Sequence, residues 1–220
     1  MGWFLIALFV CFFVFPAFLL PLIGLLGIFL IFYLPLKFTF NSLQTLLTAP
    51  KQFFLIATNP VLRKNHALEH ATINVLQRHY GSNFPISGYS QEDGFFIRSN
   101  LPAWEIEDAA REALFRLQNN EKDLAIHSKC GTTLLVGNLT AAVIFLALMF
   151  MTRVISIWYI ILAILLANLA GAPLGIFLQR HLTTSPFVND MVIQNVEYRA
   201  PDNVPNELWM FVRTSELKTI

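Results

Sequence analysis

His66-Ala67-Leu68-Glu69-His70 is the stretch of this chain best suited to chemistry. On a helix, residues four apart share a face. The two imidazoles can therefore bind one metal ion together. Glu69 lies one turn from His66 on the adjoining side, within reach of a water held by that ion. Zinc takes two or three such ligands with one open position for water, and lowers that water's pKa to about 7. A carboxylate beside it then serves as general base and proton shuttle. Glu69 is accordingly the catalytic candidate, and His66 and His70 are metal candidates.

The third ligand is sought in His127-Ser128-Lys129-Cys130. His127 is the first choice and Cys130 the second, because a thiolate suits zinc. Glu105, Glu107, Glu112 and Glu121 are further candidates, Glu112 from a mid-helix position that could face the first helix. Paired histidines at this spacing also occur on ordinary solvated helices, and His79 and His181 are read that way. The sequence holds no G-x-S-x-G elbow, no phosphate-binding glycine loop and no dinucleotide fingerprint.

His66-Ala67-Leu68-Glu69-His70 resembles the H-x-x-E-H motif of inverzincin, or pitrilysin-type, metallopeptidases. That resemblance implies His66 and His70 as zinc ligands and Glu69 as the base. It covers these five residues. Those enzymes take a further ligand from a later glutamate, and the matching distance falls near Phe145, where no acidic residue stands. Over a longer stretch, NHALEHATI (65–73), GYSQEDGFFIRS (88–99) and LAIHSKCGT (124–132) resemble a bacterial membrane family of unknown function. That resemblance implies an architecture and no activity.

The elements that must position these residues are legible from caps and periodicity. Asn59-Pro60 starts a helix and Gly81 stands just past its end. Residues 84–98 read as a hairpin turning at Gly94. Asn100 and Pro102 open a second helix from Ala103 to about Leu117, with Ile106, Ala110, Ala113 and Leu114 at helical spacing. MVIQNVEY and ELWMFVRT in the tail read as short strands.

The chain is 55% hydrophobic and 13% charged, against about 45–50% and 25% in an ordinary soluble domain. Residues 2–35 carry no charge, and neither do residues 133–151 or 154–178. A membrane span needs about 20 such residues. Pro16 and Pro21 favour a break near FPAFLLP, which makes two short or re-entrant segments the expectation, with one long kinked helix as the alternative. Residues 38–58 read as a stretch lying on the bilayer surface. Thr152 and Arg153 alone separate the later runs, which therefore form a tight hairpin. Gly171 and Gly175 have the spacing of a helix-packing face. Asn138, Thr140 and Asn168 are expected to face protein. Trp3, Trp104, Trp158 and Trp209 read as interface or core aromatics.

The reading is a membrane α+β chain in four parts: an anchor (1–36), a small α+β domain (37–131), a transmembrane helical hairpin (132–179) and a short β-rich tail (180–220). Ten of the fifteen Lys and Arg lie in residues 36–132 and four after residue 179, against Arg153 at the hairpin tip. The positive-inside rule then puts the middle domain and tail in the cytoplasm of a multi-pass protein in the inner, plasma or an internal membrane. A net charge of +1 with no basic stripe gives no sign of nucleic acid. Cys11 and Cys130 are read as reduced thiols.

Two functions follow as expectations. One is a membrane-embedded zinc hydrolase, a metallopeptidase at the cytoplasmic surface, acting on a membrane-protein segment or a lipid-like substrate. The other is a scaffold or assembly factor, with its histidines structural or holding a tetrapyrrole. Transport is disfavoured, since the spans are few and carry no charges.

Overall fold

The computed structural model describes residues 2–3, 9, 15–199 and 209–217. The chain is helical, with one small antiparallel sheet and three helices long and apolar enough to cross a membrane. Cys11 lies outside the described residues.

The first helix, α1, runs from Phe15 to Thr58 without interruption. It passes Pro21, Pro35 and Pro50, so no break falls at 15–21 and Pro35 does not close it. In an apolar medium a freed backbone group finds no water, which favours keeping the helix across a proline. At Pro35 the neighbouring Thr39 donates its hydroxyl to the Pro35 carbonyl at 2.8 Å. Residues 38–58 are a continuation of this helix and do not form a separate surface stretch. Phe38 meets Phe145 edge to face at 4.9 Å between centroids, and Gln52 shares a cavity wall with Thr132. This half of α1 therefore stands antiparallel to the helix Gly131–Thr152, along its length.

The second helix, α2 (Pro60–Tyr80), begins where the Asn59 side chain accepts from the Leu62 amide and ends at Gly81, φ +99°. A hairpin follows, β1 (Ser87–Gln91) and β2 (Gly94–Arg98), and then α3 (Ala103–Gln118). A single 3-10 turn at Lys122–Ala125 leads into α4 (Gly131–Thr152) and α5 (Ile157–Leu178), a hairpin of two helices long and apolar enough to cross a membrane. A π-turn spans Gln179–Thr183, and β3 (Met191–Tyr198) and β4 (Met210–Glu216) follow.

The sheet order is β1-β2-β4-β3, antiparallel throughout. The tail therefore belongs to the middle domain: β4 inserts between β2 and β3. One face of the sheet packs on α2 and α3, where Leu68, Ala71, Val75, Phe95, Ile106 and Val212 are sealed from solvent.

The hairpin of α4 and α5 closes on small residues. A Cβ on Gly171 would sit 3.1 Å from the Gly137 Cα, and one on Gly175 would sit 2.8 Å from Thr133 atoms. The glycine spacing thus serves packing of α5 on α4. Asn138 and Asn168 are exposed on the hairpin; Asn138 nevertheless lines a cavity with Gln52, Phe53 and Ile56 of α1, so of the two only Asn168 departs from the expectation that they face protein. Thr140 satisfies its hydroxyl on the Val136 carbonyl at 2.8 Å.

Candidate metal centre

The site forms where α2 meets the start of α4. His66, Glu69 and His70 occupy one face of α2 and are buried, with His66 at 8%, Glu69 at 6% and His70 at 1% exposure. Cys130 caps α4, its sulfur accepting from the Thr132 amide at 3.3 Å. The ligand atoms of His66, His70 and Cys130 lie within 4.8 Å of one another. This buried cluster could hold a metal ion: bonds of about 2.0–2.1 Å to nitrogen and 2.3 Å to sulfur need only a small contraction from that spacing.

Each imidazole is fixed through its other nitrogen. His66 donates from Nδ1 to the Thr183 carbonyl at 2.9 Å, and His70 from Nδ1 to the Ala125 carbonyl at 2.8 Å. Backbone carbonyls thus select the tautomer that turns Nε2 inward, an arrangement typical of metal-binding histidines. Nε2 of His66 meets the Cys130 sulfur at 3.4 Å. Nε2 of His70 is buried and has no hydrogen-bond partner. A buried polar atom left unpaired carries a free-energy penalty that a metal bond removes.

His127 stays outside this group. Its Nε2 donates to Gln77 Oε1 at 3.2 Å, and its ring centroid is 5.9 Å from that of His70. Gln179 holds its backbone in place, accepting from the His127 amide and donating to its carbonyl, both at 3.0 Å. Cys130 stands where His127 was expected. The glutamates offered as alternatives are spent elsewhere. Glu107 pairs with Arg111, and Glu112 and Glu121 pair with Arg116. Glu105 accepts from the Tyr80 hydroxyl.

Glu69 reaches toward β1, where Ser90 donates its hydroxyl to Oε2. Gly88 lies directly against the carboxylate, and a Cβ there would sit 2.6 Å from Glu69 Cγ. Burial pushes the Glu69 carboxyl above its ordinary range, opposed by His66, His70 and Ser90. Burial, and then His66, lower His70 to about 4. For His66 burial opposes the charge, but the Cys130 hydrogen bond and the Glu69 charge outweigh it and raise the imidazole to about 9. Burial likewise disfavours the Cys130 thiolate, yet His66 and Thr132 hold the thiol below its usual value. Burial and His70 take His127 to about 4. In the metal-free chain these shifts favour charge on His66 and on Cys130 and disfavour it on His70.

Several residues that place these groups gave no motif. Asn65, fully buried, donates to the Gln91 and Glu92 carbonyls at 2.8 and 3.0 Å and accepts from Thr214 at 2.6 Å. It thereby ties the β1–β2 turn and β4 to α2. Asn74 donates to the Leu124 and Ile126 carbonyls, both at 2.9 Å, steadying the segment that anchors His70. The π-turn after α5 presents Thr183 to His66. Only adjacency to the H-x-x-E-H motif distinguishes Asn65 in the sequence.

Residues 61–196 match the model of a domain of unknown function (DUF6391), and the chain belongs to that family. The match runs from the first turn of α2 into β3 and includes every residue of the cluster. An uncharacterized protein of Picosynechococcus sp. (strain ATCC 27264 / PCC 7002 / PR-6) is 34% identical over 92 residues, covering 37% of this chain and 43% of the relative. The chain thus spans less than half the length of that curated relative. No solved structure matches. The likeness to a family of unknown function is borne out, while the five-residue likeness to inverzincins gains no support from these matches.

Proposed function

We propose that this protein is a membrane-embedded, zinc-dependent hydrolase that cleaves peptide bonds at the cytoplasmic membrane surface. The observation that carries the reading is the His70 Nε2 atom, buried and unpartnered beside His66 Nε2 and Cys130 Sγ. Two imidazoles and a thiolate leave a fourth position open, as catalytic zinc sites do and structural ones do not. Zinc held there supplies Lewis acidity and a water that ionises near neutral pH. Glu69, hydrogen-bonded by Ser90 and against the cluster, takes the proton of the attacking water. The water oxygen adds to the acyl carbon, the carbon–nitrogen bond breaks, and Glu69 passes the proton to the departing amine. The Lys and Arg bias supports a cytoplasmic domain.

The test is metal content by plasma mass spectrometry on detergent-purified wild type and a His66→Ala/His70→Ala variant. One zinc per wild-type chain, lost in the variant, is the expected result. No metal in either, with the fold intact, overturns the reading and favours a non-enzymatic docking role.

A second reading follows from the 3.4 Å contact between Cys130 and His66 at the start of α4. There the thiolate is the nucleophile and His66 its base. It leaves the unpartnered His70 nitrogen without a role. Iodoacetamide labelling separates the two: thiol chemistry needs Cys130 alkylated equally fast with and without a chelator, whereas zinc protects it until chelated.

A further inference from the structure

The hairpin strand beside the site is a sheet edge, and its register decides which atoms face outward. Gln91 and Gly94 flank a two-residue turn and face each other across it, so that pair exchanges both backbone hydrogen bonds. Bonded and non-bonded pairs alternate along an antiparallel ladder. Tyr89/Phe96 and Ser87/Arg98 are therefore bonded pairs, and Gly88 and Ser90 turn their N–H and C=O groups away from β2. Among the described residues no strand pairs with β1 on that side. Gly88 and Ser90 are also the β1 residues that touch Glu69.

A groove follows this edge. One cavity of about 480 Å³ is lined by Leu55 and Ile56 of α1, by Leu62 of α2, and by Gly88 and Ser90. A second, of about 370 Å³, continues past Asn83, Pro85 and Lys129. Glu69, Gly88, Cys130 and Gly131 line both. The groove thus passes the cluster, apolar on the α1 side and polar on the other.

We propose that the substrate is an extended polypeptide segment that joins the sheet as an added strand, bonding to the outward backbone groups of Gly88 and Ser90 across the metal cluster. Main-chain bonds to a free edge give affinity for any extended peptide, and flanking pockets select side chains. Here the α1 wall selects apolar ones, as in a chain leaving a bilayer. A fatty acyl chain has no amide to offer that edge. The lack of a side chain at Gly88 lets Glu69 approach the bound backbone. This inference rests on the metal-hydrolase reading for its chemistry and on the strand register for its substrate.

Cobalt-loaded protein gives a test independent of turnover. Three hydroxamates are titrated while the cobalt visible bands are followed: a leucyl-leucyl hydroxamate, its N-methylated form and dodecanoyl hydroxamate. The expected result is that all three perturb the bands and that N-methylation weakens binding about tenfold through the lost backbone bonds. Equal binding of the two peptides, or tighter binding of the acyl compound, overturns strand addition while leaving the metal site standing. Hydrogen exchange at the Gly88 and Ser90 amides decides the case where no cobalt binds. Slowed exchange on adding a plain leucine-rich peptide supports edge docking although the metal reading has failed, and unchanged exchange overturns both.

Discussion

In the polar domain Leu68, Phe95 and Ile106 are sealed from solvent, whereas along α1 Leu22, Leu25 and Ile28 stand more than half exposed. The first region supplies its own burial. The second leaves its apolar side chains exposed on helices able to cross a membrane, and α4 and α5 are placed by a few close contacts, Gly171 on Gly137 and Gly175 on Thr133. The site lies on the seam. His66, His70 and Glu69 belong to the self-buried region, and Cys130 opens a membrane helix. Its geometry therefore depends on the domain core and on where the hairpin docks, and hardly at all on the lipid-facing side chains.

That contrast can be pressed hardest at Glu69. Replacing it with Gln is expected to slow peptide hydrolysis by about 10²–10⁴-fold with zinc content unchanged, measured as turnover beside metal analysis. Equal activity would separate the site from the chemistry altogether. In the domain core, Leu68→Ala should cost about 2–5 kcal/mol in urea unfolding, as for other buried leucines.

Next comes pH. His70 and His127 have folded pKa values near 4, below the ordinary 6.5, so the unfolded chain binds their protons first. Their contribution is complete above pH 6.5 and is lost as pH falls toward 4. His66, raised to about 9, behaves oppositely: its contribution is complete below 6.5 and is lost as pH rises through 9. Metal-free protein should be most stable near pH 6.5, with melting temperature falling on both sides and the acid limb worth about 3 kcal/mol per histidine at most. A flat profile would mean the cluster adds nothing to the domain's stability.

Gly88→Ala should cost about 1–3 kcal/mol, since the new methyl meets Glu69 and one of them must move. The smallest effect belongs to the lipid-facing helix. Leu25→Ala should change domain stability and zinc affinity by less than about 0.5 kcal/mol, and a larger loss would show that α1 does more for the site than its exposure indicates.

Features governed by local rules could be read before the fold was known. Asn59-Pro60 and Gly81 bound α2 where capping chemistry puts them, and Gly94 marks the hairpin. The i, i+4 spacing alone brings His66 and His70 together. What escaped depends on partners far along the chain. Nothing near β2 announces that β4, more than a hundred residues later, pairs with it. The Thr183 and Ala125 carbonyls that turn the imidazoles inward have no side-chain signature. The choice between His127 and Cys130 rests on Gln77 and Gln179, which become neighbours only after folding. The prolines of α1 misled because their cost was weighed as in water, where a helix can end without leaving buried backbone unpaired.

The insertion of β4 between β2 and β3 also bears on how the protein is made. The ribosome delivers α2 and the first two strands well before the strands that seal them, and the membrane hairpin emerges in between. The sheet cannot close until both helices of that hairpin, each long and apolar enough to cross a membrane, have been made and have folded back on each other. Only then do Cys130 and Thr183, from opposite ends of the hairpin, arrive beside His66. Formation of the hairpin thus acts as a checkpoint on assembly: a chain whose hairpin has not closed presents an unfinished sheet and a scattered His66, His70 and Cys130 set.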